Sequence, residues 1–234
     1  MTEQLFEALS VWHEVSAHSA AMNMAIDEAL LESAIIPTIR FYRWHSPALS
    51  FGYFGKFSDV TIHAAERALV RRWTGGGIVF HGDDLTYSIV IPSDDPVFEE
   101  SSLCIYEKIH RALAYALNGV GERAVVVGSA DGGGIAASRH TARLGSYTCF
   151  ENPVRADVMM NGRKIAGAAQ RRTRRGLLQQ GSIQGTAMTS DLAKKFAQAL
   201  SGHCIEFEIT ERIFERAQEL AQQKYDTDSW LRKR

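Results

Sequence analysis

Residues 157–183 run Asp157-Val-Met-Met-Asn-Gly-Arg-Lys-Ile-Ala-Gly-Ala-Ala-Gln-Arg-Arg-Thr-Arg-Arg-Gly-Leu-Leu-Gln-Gln-Gly-Ser-Ile183. Three β-rich runs, Asp157–Met160, Lys164–Arg171 and Leu177–Ile183, are broken by Asn161-Gly162 and by Arg174–Gly176. An Asn-Gly pair tolerates the positive φ that a tight hairpin turn needs. The stretch therefore predicts three consecutive antiparallel strands, and the rest of the chain is read outward from them.

Upstream, Leu85, Tyr87, Ile89 and Ile91 alternate with Thr86, Ser88 and Val90, the period of a strand with one markedly apolar face. Thr38–Trp44 and Ala48–Phe54 lie either side of Pro47 as two β-rich segments and suggest a hairpin, and Arg123–Val127 adds a strand. A helix is expected over Ser19–Ser33, with Ala20, Met24, Ile26, Ala29 and Leu30 apolar and Asn23, Asp27, Glu28 and Glu32 forming a polar face. Ser101 and Ser102 can cap a second helix, striped by Ile105, Ile109, Ala112 and Ala116 and ending near Asn118-Gly119. Asp191–Leu200 and Glu211–Tyr225 are expected helices flanking a strand at Ile205–Ile209, and Gly128–Ser146 is expected to be a long loop. Strands and helices without regular βα alternation imply an α+β fold. The expectation is one domain over residues 1–234, a mixed, largely antiparallel sheet flanked by helices.

The composition is that of an ordinary globular protein, with 234 residues, 45% hydrophobic and 23% charged. A net charge of −1 lacks the basic excess of nucleic-acid or anionic-membrane binders, so neither partner is expected. The N-terminus does not resemble a signal peptide, and no run of about 18 apolar residues occurs, which points to the cytoplasm. Cys104, Cys149 and Cys204 form no zinc-ligand pattern, so no metal is expected.

Three segments can carry chemistry. Arg71-Arg72-Trp73-Thr74-Gly75-Gly76-Gly77-Ile78-Val79-Phe80-His81 places three glycines beside two arginines. Glycine lets backbone N–H groups approach a ligand and guanidinium favours anions, although a plain structural turn would read the same. In Gly162-Arg163-Lys164-Ile165-Ala166-Gly167, small neighbours allow Lys164 to be partly desolvated, and the alternative is an exposed strand lysine. Cys149 sits at the end of the Gly- and Ser-rich loop, whereas Cys104 and Cys204 are expected to be inert core thiols. Arg171, Arg172, Arg174 and Arg175 suit a solvated turn or a docking patch for an acidic partner.

Together these segments resemble the lipoate-protein ligase and octanoyltransferase family, whose catalytic domain is of the biotin/lipoyl-ligase type. The resemblance rests on Arg71–His81, on Gly162–Ala169 and on Gln180-Gly181-Ser182-Ile183. Cys149-Phe150-Glu151-Asn152-Pro153 is similar to the Cys-Phe-x-x-Pro of cysteine-dependent octanoyltransferases, as is Asp84-Leu85-Thr86-Tyr87-Ser88 to their Glu-Leu-Thr-Tyr-Ser. Ala156-Asp157 and the third glycine, Gly77, stand nearer the ligases.

The resemblance implies that Cys149 takes octanoyl from octanoyl-acyl carrier protein, with Lys164 stabilising the thiolate. An apo lipoyl domain, such as that of the glycine cleavage H protein, would then receive it on a lysine. Arg72, Gly75, Gly76, Gly77, Ile78, Val79, Phe80 and His81 would line the substrate pocket, and no cofactor is implied. The alternative is a lipoate-protein ligase subunit that uses ATP and magnesium with a separate accessory chain. That branch typically carries an accessory C-terminal domain, for which little chain follows Ser229-Trp230-Leu231.

Overall fold

The computed structural model describes residues 4–128, 154–185 and 190–233. Strand β1 (Leu9–His13) leads to helix α1 (Ala20–Ser33), whose first turn is capped by the Ser19 hydroxyl accepting from the Met22 N–H. Strands β2 (Thr38–Tyr42), β3 (Ala48–Phe51), β4 (Ala68–Arg71), β5 (Val79–His81) and β6 (Leu85–Pro92) follow, then helix α2 (Ser102–Gly119) capped by Ser101. After β7 (Ala124–Val126), strands β8 (Val158–Met160), β9 (Arg163–Thr173) and β10 (Gly176–Ile183) form the antiparallel run expected from the sequence. The chain continues through α3 (Ser190–Leu200), β11 (Cys204–Glu206), α4 (Glu211–Leu220) and α5 (Asp228–Leu231). Residues Ala221–Tyr225 are a π-helical turn, so the expected helix over Glu211–Tyr225 changes pitch near its end.

The larger sheet has the order β11-β1-β2-β6-β10-β9-β8-β7, parallel where β1 meets β2 and β11 and antiparallel elsewhere. Helices α2 and α3 cover one face, with Ile105, Leu113, Leu192 and Phe196 packed on Tyr87, Ile89 and Leu177. Helices α1 and α4 cover the other, with Met24, Ala25 and Leu30 on Val90 and Leu178. With both faces covered, every residue of β6 and β10 is buried. A smaller sheet, β4-β3-β5, carries its own cluster of Leu49, Phe51 and Val60. No helix among the described residues is long and apolar enough to cross a membrane.

Three expectations change. The segments around Pro47 do not form a hairpin: β2 joins the large sheet between β1 and β6, while β3 lies between β4 and β5 of the small one. The polar face of α1 does not meet solvent, because Asn23, Asp27 and Glu28 are buried. Cys104 and Cys204 are exposed, not in the core. Cys104 precedes the buried Ile105 and so points off the α2 stripe, and Cys204 lies on edge strand β11, all of whose residues are exposed.

The buried acid of α1 has a specific use. Arg40 on β2 has no solvent exposure and donates to Asp27 Oδ1 at 2.7 Å, Asn23 Oδ1 at 2.7 Å and Glu14 Oε2 at 2.5 Å. Asp27 also accepts from the hydroxyls of Ser88 (2.7 Å) and Tyr42 (3.1 Å) and from Gln180 Nε2 (2.7 Å). One carboxylate thus joins α1 to β2, β6 and β10.

Candidate active site

Strand β4 ends in two arginines that serve different ends. Arg71 is buried and gives its guanidinium to backbone carbonyls alone: Tyr53 and Gly55 on one side, Trp230, Leu231 and Lys233 on the other. It fastens the C-terminal segment to the small sheet. Arg72 donates to Ser50 Oγ at 2.7 Å and to the carbonyls of Gly75 and Gly77 at 2.9 Å each, so the glycine loop is seated by its carbonyls on this guanidinium. Gly76 has φ 83°, and a Cβ there would stand 3.2 Å from both the Ala169 Cβ and Arg72 Nη2. Gly52 is as necessary, since its Cβ would fall 2.1 Å from the Gly76 carbonyl oxygen. Thr74 Oγ1 donates to Gln180 Oε1 at 2.7 Å, which links the loop to Asp27.

Beside this loop lies a narrow pocket. Met24, Tyr42, Trp44 and Val79 give it apolar wall, and the small residues Gly167, Ala168, Ala169 and Gly181 leave the room. Such a cavity, mostly apolar with a few polar groups at one part of its wall, suits a small hydrophobic ligand with a polar end. The polar part is a relay in which Ser50 Oγ meets His81 Nε2 at 2.6 Å and His81 Nδ1 meets Asp84 Oδ2 at 2.7 Å. Burial pushes the His81 pKa down more than Asp84 raises it, so the imidazole is neutral with its proton on Nδ1 and its acceptor filled by Ser50. Burial raises the Asp84 pKa, but hydrogen bonds from His81, Ser182 and the Gly82 N–H outweigh it and leave the carboxyl below its ordinary value. The Trp44 ring stacks on His81 at 4.1 Å between centroids and donates from Nε1 to Thr86.

Lys164, also on β9, packs over Gly167, one of the residues that line the pocket. Its Nζ lies 2.8 Å from Asp157 Oδ2, both side chains almost wholly buried. Asp157 also accepts from the Tyr106 hydroxyl and the Val154 N–H at 2.7 Å each, and the Tyr106 oxygen accepts from the Ala168 N–H at 3.1 Å. The lysine stem crosses its own strand over Gly167, where a Cβ would stand 2.5 Å from Lys164 Cε and 2.7 Å from Nζ. Gly167→Ala is therefore expected to displace the ammonium from its place over Gly167 and beside Asp157. A misplacement of about 1 Å can cost about 10²-fold in rate. A transfer assay with parallel thermal melts checks this, and an unchanged rate would show that Lys164 need not lie there.

Behind Asp157, His110 is fully buried, its Nδ1 donating to the Ala156 carbonyl at 2.6 Å and its Nε2 accepting from Tyr87 at 3.2 Å. Burial pushes its pKa down to about 4. A folded pKa below the unfolded 6.5 gives stability that is complete above pH 6.5 and is lost as the pH falls toward 4. Between pH 7 and 5 this group alone accounts for about 2 kcal/mol. Urea unfolding at both values, with His110→Gln alongside, should show a much smaller pH dependence in the variant.

The residues expected to line the pocket separate. Arg72, Val79 and His81 border it. Gly75 and Gly77 are bound to Arg72, and Gly76 packs against Arg72 and Ala169. Ile78 and Phe80 pack on the Leu49, Phe51 and Val60 cluster, with Phe80 edge-on to His63 at 5.0 Å. Cys149 and most of the expected Gly128–Ser146 loop lie outside the described residues. The arginine run does not make one patch: Arg171 faces the rings of Tyr53 and Trp73, Arg172 is bound to the carbonyls of Phe98 and Glu100, and Arg175 pairs with Glu32 at 3.5 Å. Ser50 and Tyr106 carry no local signal in the sequence, because the contacts that define them come from distant segments. Asp84 had one local signal, its position three residues after His81.

This chain belongs to the family described as the lipoyl protein ligase A/B catalytic domain, whose model matches residues 19–212. Octanoyltransferase LipM of Oceanobacillus iheyensis is 40% identical over 180 residues, covering 73% of this chain and 62% of that protein. The protein of the same name from Brevibacillus brevis is 35% identical over 178 residues, covering 71% and 62%. The match therefore spans somewhat less than two thirds of the length of these relatives. Among solved structures, lipoate-protein ligase A bound with ATP superposes with a TM-score of 0.72 at 23% identity, over 97% of this chain and 98% of that one. A putative lipoate protein ligase from T. acidophilum with bound lipoic acid gives 0.70 at 21%, over 96% and 98%. The α+β fold expected from the sequence is the fold of these neighbours.

Proposed function

We propose that this chain is an octanoyltransferase of the cysteine-dependent kind, moving octanoyl from the thioester of acyl carrier protein to a lysine of an apo lipoyl domain in the cytoplasm. The observation that carries the reading is an apolar-walled pocket whose lining residue Gly167 is covered by the buried side chain of Lys164, fifteen residues after Cys149. The relatives named as octanoyltransferases support it.

In the first step the Cys149 thiolate attacks the thioester carbonyl, the new carbon–sulfur bond forms, and the carrier thiol leaves and takes a proton. In the second, the acceptor lysine's amine attacks the Cys149 thioester, loses a proton and becomes an amide, and Cys149 is released as thiolate. Lys164 stabilises that thiolate in both steps. The pocket holds the acyl chain, and no ATP or metal takes part.

The test mixes enzyme, apo lipoyl domain and octanoyl-carrier protein without ATP or magnesium and reads the acceptor mass. Octanoylation that needs Cys149 is the expected result. Modification only with free acid plus ATP would return the chain to the ligase reading, which Ala156-Asp157 favours.

A further inference from the structure

On β9, alternation places Arg171 on the same face as Ala169, a pocket residue, and turns Arg172 to the opposite one. Arg171 joins Lys224 and Lys233 around three aromatic rings. Trp73 lies between Arg171 (5.1 Å from its centroid) and Lys224 (4.4 Å), Tyr53 between Arg171 (5.3 Å) and Lys233 (4.9 Å), and Trp230 between Lys224 (4.5 Å) and Lys233 (5.1 Å). Every ring is shared by two cations, so the three charges are drawn together around one small patch.

The charge in that patch is not balanced by the residues around it. Glu28, 2.5 Å from Lys224 Nζ, is the one carboxylate bound to any of the three among the described residues, which leaves an excess of two positive charges. Arg171 Nε is buried with no hydrogen-bond partner. Burial lowers the Lys224 pKa, and repulsion from Arg171 and Lys233 adds to it. Ring faces offset such crowding by about 0.5–2 kcal/mol per cation, but they accept no hydrogen bond of ordinary strength. The scaffold is firm, since Arg71 holds the carbonyls of Trp230, Leu231 and Lys233, and the π-helical turn carries Lys224. Trp73 adjoins Arg72 and Arg171 stands two residues from Ala169, so an anion here would sit at the rim of the pocket.

We propose that Arg171, Lys224 and Lys233 bind the phosphodiester of the donor's pantetheine arm, anchoring the arm while its acyl end enters the pocket. The assignment rests on the transferase reading for its ligand. A compact cluster walled by rings fits one phosphate better than the broad acidic surface of a carrier protein, which exposed lysines over a wide area would serve.

The test is tryptophan fluorescence titration of the full chain with 4′-phosphopantetheine, pantetheine, inorganic phosphate and ATP, repeated on Lys233→Gln and Arg171→Gln. Phosphopantetheine should bind at least tenfold more tightly than pantetheine, and each variant should lose most of that preference while keeping its melting temperature. Equal binding of the two, or a preference that survives both substitutions, overturns the proposal. So does ATP binding more tightly than phosphopantetheine. Octanoyl-pantetheine is assayed as substrate in parallel. Its turnover without a phosphate preference sinks the anchor and leaves the transferase standing. A phosphate preference in binding, with no octanoyl thioester ever acylating the chain, sinks the transferase reading and retains a phosphate site.

Discussion

Asp27→Ala should lower the unfolding free energy by about 3–5 kcal/mol, because Arg40 keeps Glu14 but loses its fully buried carboxylate, and three further buried donors lose an acceptor. The Arg40 guanidinium would stay fully buried beside the lost charge, and Ser88, Tyr42 and Gln180 would lose an acceptor together. At about 2–4 °C per kcal/mol for a chain of this size, the melting temperature should fall by about 6–20 °C. The pair as a whole need not be worth so much, because a well-packed apolar replacement of both partners can be nearly neutral. If Asp27→Ala costs less than about 1 kcal/mol in urea unfolding, the carboxylate is not the tie between α1 and the sheet.

Lys164→Met should slow acylation of Cys149 by about 10²-fold near neutral pH. An ammonium some 4 Å from a thiolate is worth about 4 kcal/mol at an effective dielectric of about 20, and a third of that is one pKa unit. The structure adds a second contribution. Asp157, 2.8 Å from the ammonium, would be left as a buried carboxylate without its cation, and on the transferase reading that charge opposes the thiolate. Both effects raise the thiol pKa, so the rate should recover as the pH rises. Asp157→Asn removes the opposing charge and should move the Cys149 pKa the other way. Alkylation rate against pH for the two variants reads both shifts, and a shift of the same sign in both would show that Lys164 and Asp157 do not act on the thiol as a pair.

Local pattern explains which parts of this fold the sequence discloses. The Ser101 cap, the alternation in β6 and the Asn161-Gly162 turn depend on neighbours in the chain, and each stands where the pattern puts it. The β2 and β3 strands were identified as strands but not placed, because their partners come from segments far away in sequence and nothing near Pro47 says which sheet either joins. Charge misleads for a related reason. Asp27 on a helix reads as solvent-facing until Arg40, thirteen residues on, is known to lie beneath it. Around the pocket, Arg72, His81 and Gln180 stand in segments that the sequence singles out, while Ser50 and Tyr106 enter through contacts that only the assembled fold creates.

The two thiols that the fold leaves at the surface give a means of timing the third. Cys104 is held protonated by its contact with Glu100, and Cys204 by partial burial and by Glu206, so both are short of the reactive anion at neutral pH. A limiting dose of a maleimide should therefore resolve the unaltered protein into kinetic classes, slow for these two and fast for a thiol that has a cation beside it. Quenching the mixture at intervals and counting adducts by mass would report the activation of Cys149 without any substitution, donor or acceptor present.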